Sequence, residues 1–455
     1  MLAPSPKTIM VNHNLAHTLS LDFKNVSDQT LAQLFSGSMT LEDTRPICQA
    51  YAGHQFGHLT VLGDGRAYLL GEHQLANDKK VDVHLKGTGP TAYSRGGDGK
   101  ASLGPMLREY IISEALHQLN IPTSRSLAVV TTGETIVRHE ALPGAVLTRV
   151  SDSHIRIGTF EWASFYQSHD ELKAIFDYTL ERHYPHLVEH STPALALLKI
   201  LSQRYSSLMV HWWRVGFIHG VMNTDNTTLS GESIDFGPCA FMDHYHPDTV
   251  FSSIDHQGRY AFGQQPIAAQ WNLAKLAEAL LPLIHENRQK AIELATPIIQ
   301  QFNVQFKQQW LDMMRCKLGI VQPTAHDEQL IKKLLMWMQQ HHADYTNTFM
   351  HLTYQNLEDE PIYQHQSFKT WASHWQELHP STTNTQGVMQ RTNPTIIPRN
   401  HRVEWALDEA INGNTQAFHD LLSLLHNPYQ LDASRTEFQQ PPRPNERVKA
   451  TYCGT

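Results

Sequence analysis

Residues 219–226 read HGVMNTDN, and residues 234–237 read IDFG. Asn226 and Asp235 offer two hard oxygen ligands, which suit a small divalent cation. Asp225 is the only carboxylate in the first block and can accept a proton. Val221 cannot. Outward from these blocks the chain divides by texture. Before them it is rich in glycine and short apolar runs. Arg66–Gly71, Val81–Lys86, Ser126–Val130 and Ala145–Val150 read as strands between turn residues. One helix interrupts them at Pro105–Leu119, with an apolar stripe of Leu107, Ile111, Ile112, Ala115 and Leu119. From about Glu161 helical periodicity dominates: Leu172–His183, Ala194–Gly216, Ala268–His285, Thr296–Leu318 and Asp327–Asp344. The polar stretch Ser381–Gly387 is expected to be a loop.

That order predicts an α/β (α+β) chain with a ligand cleft between two lobes. The expected divisions are 1–160, a β-rich lobe with one key helix; 161–436, a larger helical lobe with the catalytic loop; and 437–455, a mobile tail containing PPRP.

The two quoted blocks also fit a known spacing. A protein kinase carries H-R-D-x-x-x-x-N, a strand, then D-F-G. His219, Asn226 and Asp235 fall on the histidine and the two metal-binding positions, while Val221 stands where the proton-accepting aspartate belongs. Upstream, Gly63-Asp64-Gly65-Arg66 is either a tight hairpin turn or a phosphate-contacting loop. Lys86 closes a strand, and Glu109 lies on the following helix. Such a pair can hold an ammonium over a phosphate; apart from the rest of the pattern, it would read as two unrelated surface charges. Arg149 and Arg156 lie in strand-like segments near the expected lobe junction. With Arg66 and Lys86 they supply four cations, more than a kinase usually places on its phosphates.

Composition narrows the classes. There are 455 residues, with 36 Lys plus Arg against 44 Asp plus Glu and a formal charge of −8. No nucleic-acid partner is expected, because that needs a cationic surface. No run of eighteen apolar residues occurs, so no membrane partner is expected either. Cys48, Cys239, Cys316 and Cys453 form no CxxC pair, and no secretory pattern opens the sequence. The expectation is a cytoplasmic protein. The 29 histidines are scattered and read as surface polarity. His54 and His58 have helical ligand spacing, but Gly53 and Gly57 disfavour a helix there.

Several blocks together resemble the selenoprotein O family, called YdiU in bacteria. They are Tyr51–Gly57 (YAGHQFG), Leu62–Arg66 (LGDGR), Leu85–Gly89 (LKGTG), Tyr93–Gly99 (YSRGGDG), His219–Asn226, Asp235–Pro238 (DFGP), Asn393–Asn400 (NPTIIPRN) and Asn427-Pro428-Tyr429. The likeness runs from about residue 15 to 430. It implies a protein-kinase-like bilobal fold that transfers AMP rather than phosphate. ATP would be bound flipped, its α-phosphate facing a Ser, Thr or Tyr hydroxyl of a protein substrate. Such enzymes often modify themselves as well. The resemblance implies nucleotide contacts at Gly63, Gly65, Arg66, Lys86, Asp98, Gly99, Arg149 and Arg156. It also implies Mg²⁺ or Mn²⁺ on Asn226 and Asp235, and a general base at Asp225. Glu109 would support Lys86. The chain departs from some members at its end, Cys453-Gly454-Thr455, which holds no selenocysteine. The rival readings are γ-phosphate transfer, UTP as donor, and a non-catalytic nucleotide-binding scaffold. Retention of both metal ligands, the lysine and a candidate base weighs against the scaffold.

Overall fold

A computed structural model of the chain describes residues 3–39, 41–42, 44–54, 58–358, 360–432 and 436–452. Gln55–Gly57 of the YAGHQFG block and Cys453–Thr455 lie outside these residues. The fold is mixed α/β. Ten strands occur among the described residues: β1 (Lys7–Val11), β2 (Ala52–Gly53), β3 (Thr60–Val61), β4 (Ala67–Gln74), β5 (Lys80–Lys86), β6 (Ala101–Ser102), β7 (Arg125–Val137), β8 (Ala141–Ser151), β9 (Phe217–Ile218) and β10 (Ala240–Phe241). Six form one sheet in the order β1-β7-β8-β5-β4, with β6 added to β8. Every pairing in it is antiparallel.

The middle of this sheet carries the polar business of the molecule. In β5 the sequence KVDVHLK alternates strictly. Val81, Val83 and Leu85 face an apolar cluster with Leu70, Leu127, Val130, Val146 and Val150. Asp82, His84 and Lys86 therefore share the opposite face, since strand side chains alternate with period two. The register places His84 beside Arg149 of β8.

The helices are α1 (His13–Thr18), α2 (Asp28–Phe35), α3 (Leu103–Gln118), α4 (Ile157–Tyr166), α5 (His169–His183), α6 (Pro193–Val215), α7 (Gln265–Ile284), α8 (Arg288–Lys317), α9 (Asp327–Gln340), α10 (Tyr345–Tyr354), α11 (Gln366–Leu378), α12 (Thr383–Thr392), α13 (Asn400–Ile411), α14 (Gln416–Leu425) and α15 (Thr436–Gln439). The predicted stripe of α3 is buried throughout, from Leu107 to Leu119. It joins α6, α7 and α13 in the largest apolar cluster, which continues beneath the sheet. None of these helices is long and apolar enough to cross a membrane.

One expectation changes. Most of the segment Ser381–Gly387 is not loop but the start of α12. Thr382 caps it by accepting from the Thr385 amide at 3.2 Å, while its own amide donates to Thr385 Oγ1 at 2.8 Å. That reciprocal pair satisfies two helix-end donors, so a polar run starts a helix. The segment expected as a mobile tail makes defined contacts within its described part. Thr451 bridges to Ser252 in parallel and donates through Oγ1 to the Pro238 carbonyl at 2.6 Å. Arg399 of the NPTIIPRN block, fully buried, donates to Asp243 at 2.6 Å, Asp344 at 2.9 Å and the Gln439 carbonyl at 2.9 Å.

Several histidines are buried, such as His84, His154 and His219, and others are half-buried. Burial first, and a neighbouring arginine second, pushes His183 and His211 down to about 4. Burial with Arg402 and Arg399 does the same to His401. Each binds a proton more readily unfolded than folded between about pH 4 and 6.5. Stability therefore rises with pH across that window and falls as pH drops through it. Denaturant midpoints measured from pH 7 to 4 should show this loss, and replacing His183, His211 and His401 together by Gln should shrink it. An unchanged slope in the triple variant would contradict the assignment.

Candidate active site

The end of β5 delivers Lys86 to the junction between the sheet and the helices. Its Nζ donates to Glu109 of α3 and to Asp235 Oδ1, the latter at 2.6 Å. The strand–helix pair expected from the sequence is thus formed. Arg149, on β8, donates to the same Asp235 oxygen at 2.7 Å and lies 3.8 Å from Glu109. Arg156 ends 3.8 Å from the other oxygen, Asp235 Oδ2. It is not in a strand but is the residue before α4, joined to Thr228 by an isolated backbone bridge. Three cations from three elements therefore converge on one carboxylate. Burial alone would raise the Asp235 carboxyl; Arg149, Lys86 and Arg156 outweigh it and hold it well below the usual range. Asp235 has φ +62°, an uncommon left-handed conformation for a residue with a side chain.

The glycine-rich loop between β3 and β4 supplies a second layer. Gly63, at φ +64°, lies against the Tyr93 ring so closely that a Cβ would come within 2.2 Å of it. Gly65 passes close to the Tyr93 carbonyl. Between them Asp64 turns inward. Its carboxylate meets Arg156 at 3.5 Å, the Gln49 amide at 3.0 Å and His84 Nε2 at 3.3 Å. The Arg66 carbonyl accepts from the Gly87 amide at 2.7 Å, which ties this loop to the end of β5. The Arg156 guanidinium also stacks on Tyr51 at 4.1 Å.

Asp98 and Gly99 lie in the loop before β6. The Gly99 carbonyl accepts from the Gly89 amide at 3.0 Å, which closes a tight turn. Asp98 is held by two 2.9 Å bonds from Arg138 and does not join the Asp235 cluster. The Arg138 bond is the chief reason its carboxyl sits low.

The loop after β9 is braced from below. His219 donates from Nε2 to the Ile234 carbonyl at 2.8 Å, and its amide donates to Gln265 of α7 at 3.0 Å. Asn272, also on α7, donates to the Met222 carbonyl and to Thr227 Oγ1. These bonds set the single 3₁₀ turn Thr224–Asn226 that carries Asp225 and Asn226. Asn226 Nδ2 donates to the Val221 carbonyl at 3.1 Å, which fixes the amide and directs Oδ1 away from that carbonyl. Asp225 is buried, and its Oδ1 lies beside the Cα of Gly53. Among the described residues no group of three or more His, Cys, Asp or Glu forms a metal cage. Asn226 and Asp235 are two oxygen donors rather than a full coordination sphere.

Sequence reasoning quoted Asp64 within the GDGR loop and Tyr51 within the YAGHQFG block without assigning either a contact in the site, and it passed over His84.

Comparisons with known proteins identify the family. The model of a family described as protein adenylyltransferase SelO matches residues 2–426. A protein nucleotidyltransferase YdiU from Nitrosococcus oceani is 53% identical over 99% of this chain and 92% of its own length. Proteins of the same name from Bacillus thuringiensis and Alkaliphilus metalliredigens are 49% and 50% identical, each over 99% of this chain and 93% of their own. The chain is therefore an enzyme of the nucleotidyltransferase class. It belongs to the SelO family of protein adenylyltransferases, as its motifs led one to expect.

The packing of Gly53 on Asp225 yields a direct test. A Cβ at position 53 would come within 2.4 Å of Asp225 Oδ1 and 2.6 Å of Leu62. Gly53→Ala should displace the carboxylate and, on the expectation that Asp225 is the general base, lower turnover about a hundredfold. ATP affinity, measured by titration, should change little. Unchanged turnover in the folded variant would contradict the placement of Asp225.

Proposed function

We propose that this chain transfers AMP from ATP to Ser, Thr or Tyr hydroxyls of proteins, itself included, and releases pyrophosphate. The reading assigns residues 1–160 and 161–436 to two lobes of a kinase-like fold, residues 437–455 to a tail, and the reaction to the junction between the lobes. The observation that carries it is the convergence of Lys86, Arg149 and Arg156 on Asp235, with Asp225 nearby in place of the kinase base. The family name supports the AMP donor chemistry.

In this reading the ion-paired cluster is the resting form of a polyphosphate site. Incoming phosphate oxygens take over Lys86, Arg149 and Arg156 as partners. Gly63, Gly65, Arg66, Asp98 and Gly99 line the nucleotide from the glycine-rich loops. Glu109 keeps the Lys86 ammonium in place while Asp235 is drawn away. Asp225 accepts the proton of the acceptor hydroxyl as that oxygen attacks the α-phosphorus. The bond from that phosphorus to the bridging oxygen of the β-phosphate breaks. Three cations then offset the charge that builds on the departing pyrophosphate. A kinase needs no such surplus, because its leaving group is a nucleoside diphosphate.

Asn226 and Asp235 fit a Mg²⁺ or Mn²⁺ ion that takes its other ligands from phosphate and water. When bound, that ion would neutralise phosphate charge and favour attack. Among the described residues Cys48 and Cys316 are free thiols, which supports a reducing, cytoplasmic setting.

Two kinds of variant separate binding from chemistry. Lys86→Ala should weaken ATP binding by about 1.5–3 kcal/mol, the usual worth of a charge-assisted bond. Asp225→Asn should bind ATP normally yet lose about 10²–10⁴ in transfer rate, because a neutral amide accepts no proton. Titration calorimetry and single-turnover assays read the two effects. Normal transfer by Asp225→Asn would sink the base assignment. Excess chelator should abolish transfer, and full activity in its presence would remove the metal from the account.

A further inference from the structure

Lys86, Arg149 and Arg156 touch the carboxylate at the centre of the site, but something must hold two long guanidinium side chains in register before nucleotide arrives. The face of β5 that ends in Lys86 bears His84 two residues earlier. His84 is fully buried and stands opposite Arg149 in the sheet. Its two ring nitrogens face different partners. Nε2 lies 3.3 Å from Asp64 Oδ2, and Nδ1 lies 3.4 Å from Arg149 NH2. Asp64 in turn holds Arg156. One imidazole therefore joins both arginines, one directly and one through a carboxylate.

The chemistry of those partners fixes the ring. A guanidinium can only donate, so Nδ1 must be bare. An ionised carboxylate can only accept, so Nε2 must carry the proton. A charged imidazolium would turn an N–H toward Arg149. Burial pushes the His84 imidazole below its ordinary range; Asp64 opposes this, while Arg149 and Arg156 reinforce it. His154 stacks on the ring with centroids 4.4 Å apart and is itself fixed by Asp82, which its amide reaches at 2.7 Å. Asp82 is anchored by Arg182 at 2.7 Å. The ring is thus locked in plane by a neighbour and in tautomer by its bonds.

We infer that His84 is a positioning residue of the phosphate site, a neutral bridge of fixed tautomer that sets the spacing of Arg149 and Arg156. The inference rests on the proposed role of those arginines in binding ATP. It assigns His84 no contact with the nucleotide. It also explains the carboxylate of Asp64: a residue there must be anionic to hold Arg156 and accepting to orient His84.

The test compares three substitutions by ATP titration and steady-state kinetics. His84→Phe keeps the flat shape and removes both polar functions. His84→Gln offers one donor and one acceptor. Arg149→Ala serves as the reference for loss of the site itself. His84→Phe should raise the ATP dissociation constant about tenfold or more, and should lower kcat by far less than Asp225→Asn does, since Asp225 is untouched. His84→Gln should recover most of the affinity. In an Arg156→Ala background the cost of His84→Phe should shrink, because one of the two groups it positions is gone. Wild-type affinity in folded His84→Phe, equal defects in the Phe and Gln variants, or losses that simply add with Arg156→Ala would overturn the inference. If His84→Phe does not fold, His84→Gln against the shorter His84→Asn decides: tighter binding by Gln supports the bridge, and equal affinities refute it. Wild-type affinity in Arg149→Ala would overturn the phosphate-site reading and this inference with it. Weak binding there beside normal binding in His84→Phe would overturn this inference alone.

Discussion

Asp235 neutralises a concentration of positive charge that the interior could not otherwise hold. Lys86, Arg149 and Arg156 reach it from the end of β5, from β8 and from the start of α4, and Glu109 adds a second carboxylate. Both arginines are almost fully buried. A buried charge left without its partner costs about 3–5 kcal/mol, so removing Asp235 would disturb the sheet side as well as the loop that carries it. The same constraint explains why Asp235 is kept in a left-handed backbone conformation. The surrounding bonds over-determine it, and the strain of order 1–3 kcal/mol is met by ion pairing.

The rest of the molecule serves that meeting point. The apolar face of β5 packs into the sheet cluster and leaves Asp82, His84 and Lys86 on the side that carries charge. The helix α3 is buried on nearly every face, which is what Glu109 needs to stay close to Lys86. On the other side, α7 contributes Gln265 and Asn272, both buried, to brace the loop of Asp225 and Asn226. Gly53 and Gly158 let β2 and α4 approach that loop. A Cβ at Gly158 would strike the Ala52 carbonyl at 2.1 Å. Packing on both sides places Asp225 and the Lys86, Arg149 and Arg156 cluster on separate supports, so on the proposed roles binding and proton transfer can be altered independently.

Much of this was legible in the residues. The blocks around His219 and Asp235 carry fixed spacing, and Lys86 and Glu109 follow from a strand and a helix with clear periods. The stripe of α3 was read correctly because its apolar positions are long and regular. What escaped has physical reasons. Asp64 sits in a turn sequence whose ordinary role is backbone reversal, so its inward carboxylate was hidden. His84 lies inside a strand, where a histidine reads as one polar residue among several; only the register with Arg149 shows its use. The polar run at 381–387 starts a helix because Thr382 and Thr385 cap each other, a pairwise effect that composition does not display. Several histidines proved interior because burial depends on packing between distant helices.

The chemistry of the transferred group tests the central claim most directly. The intact protein can be incubated with a protein acceptor, a divalent ion, and ATP labelled either at the α- or at the γ-phosphorus. The account predicts that α-label enters the acceptor, that the mass gained is that of AMP, and that one pyrophosphate is released per acceptor modified. Entry of γ-label, with a mass gain of one phosphate and release of ADP, would contradict it.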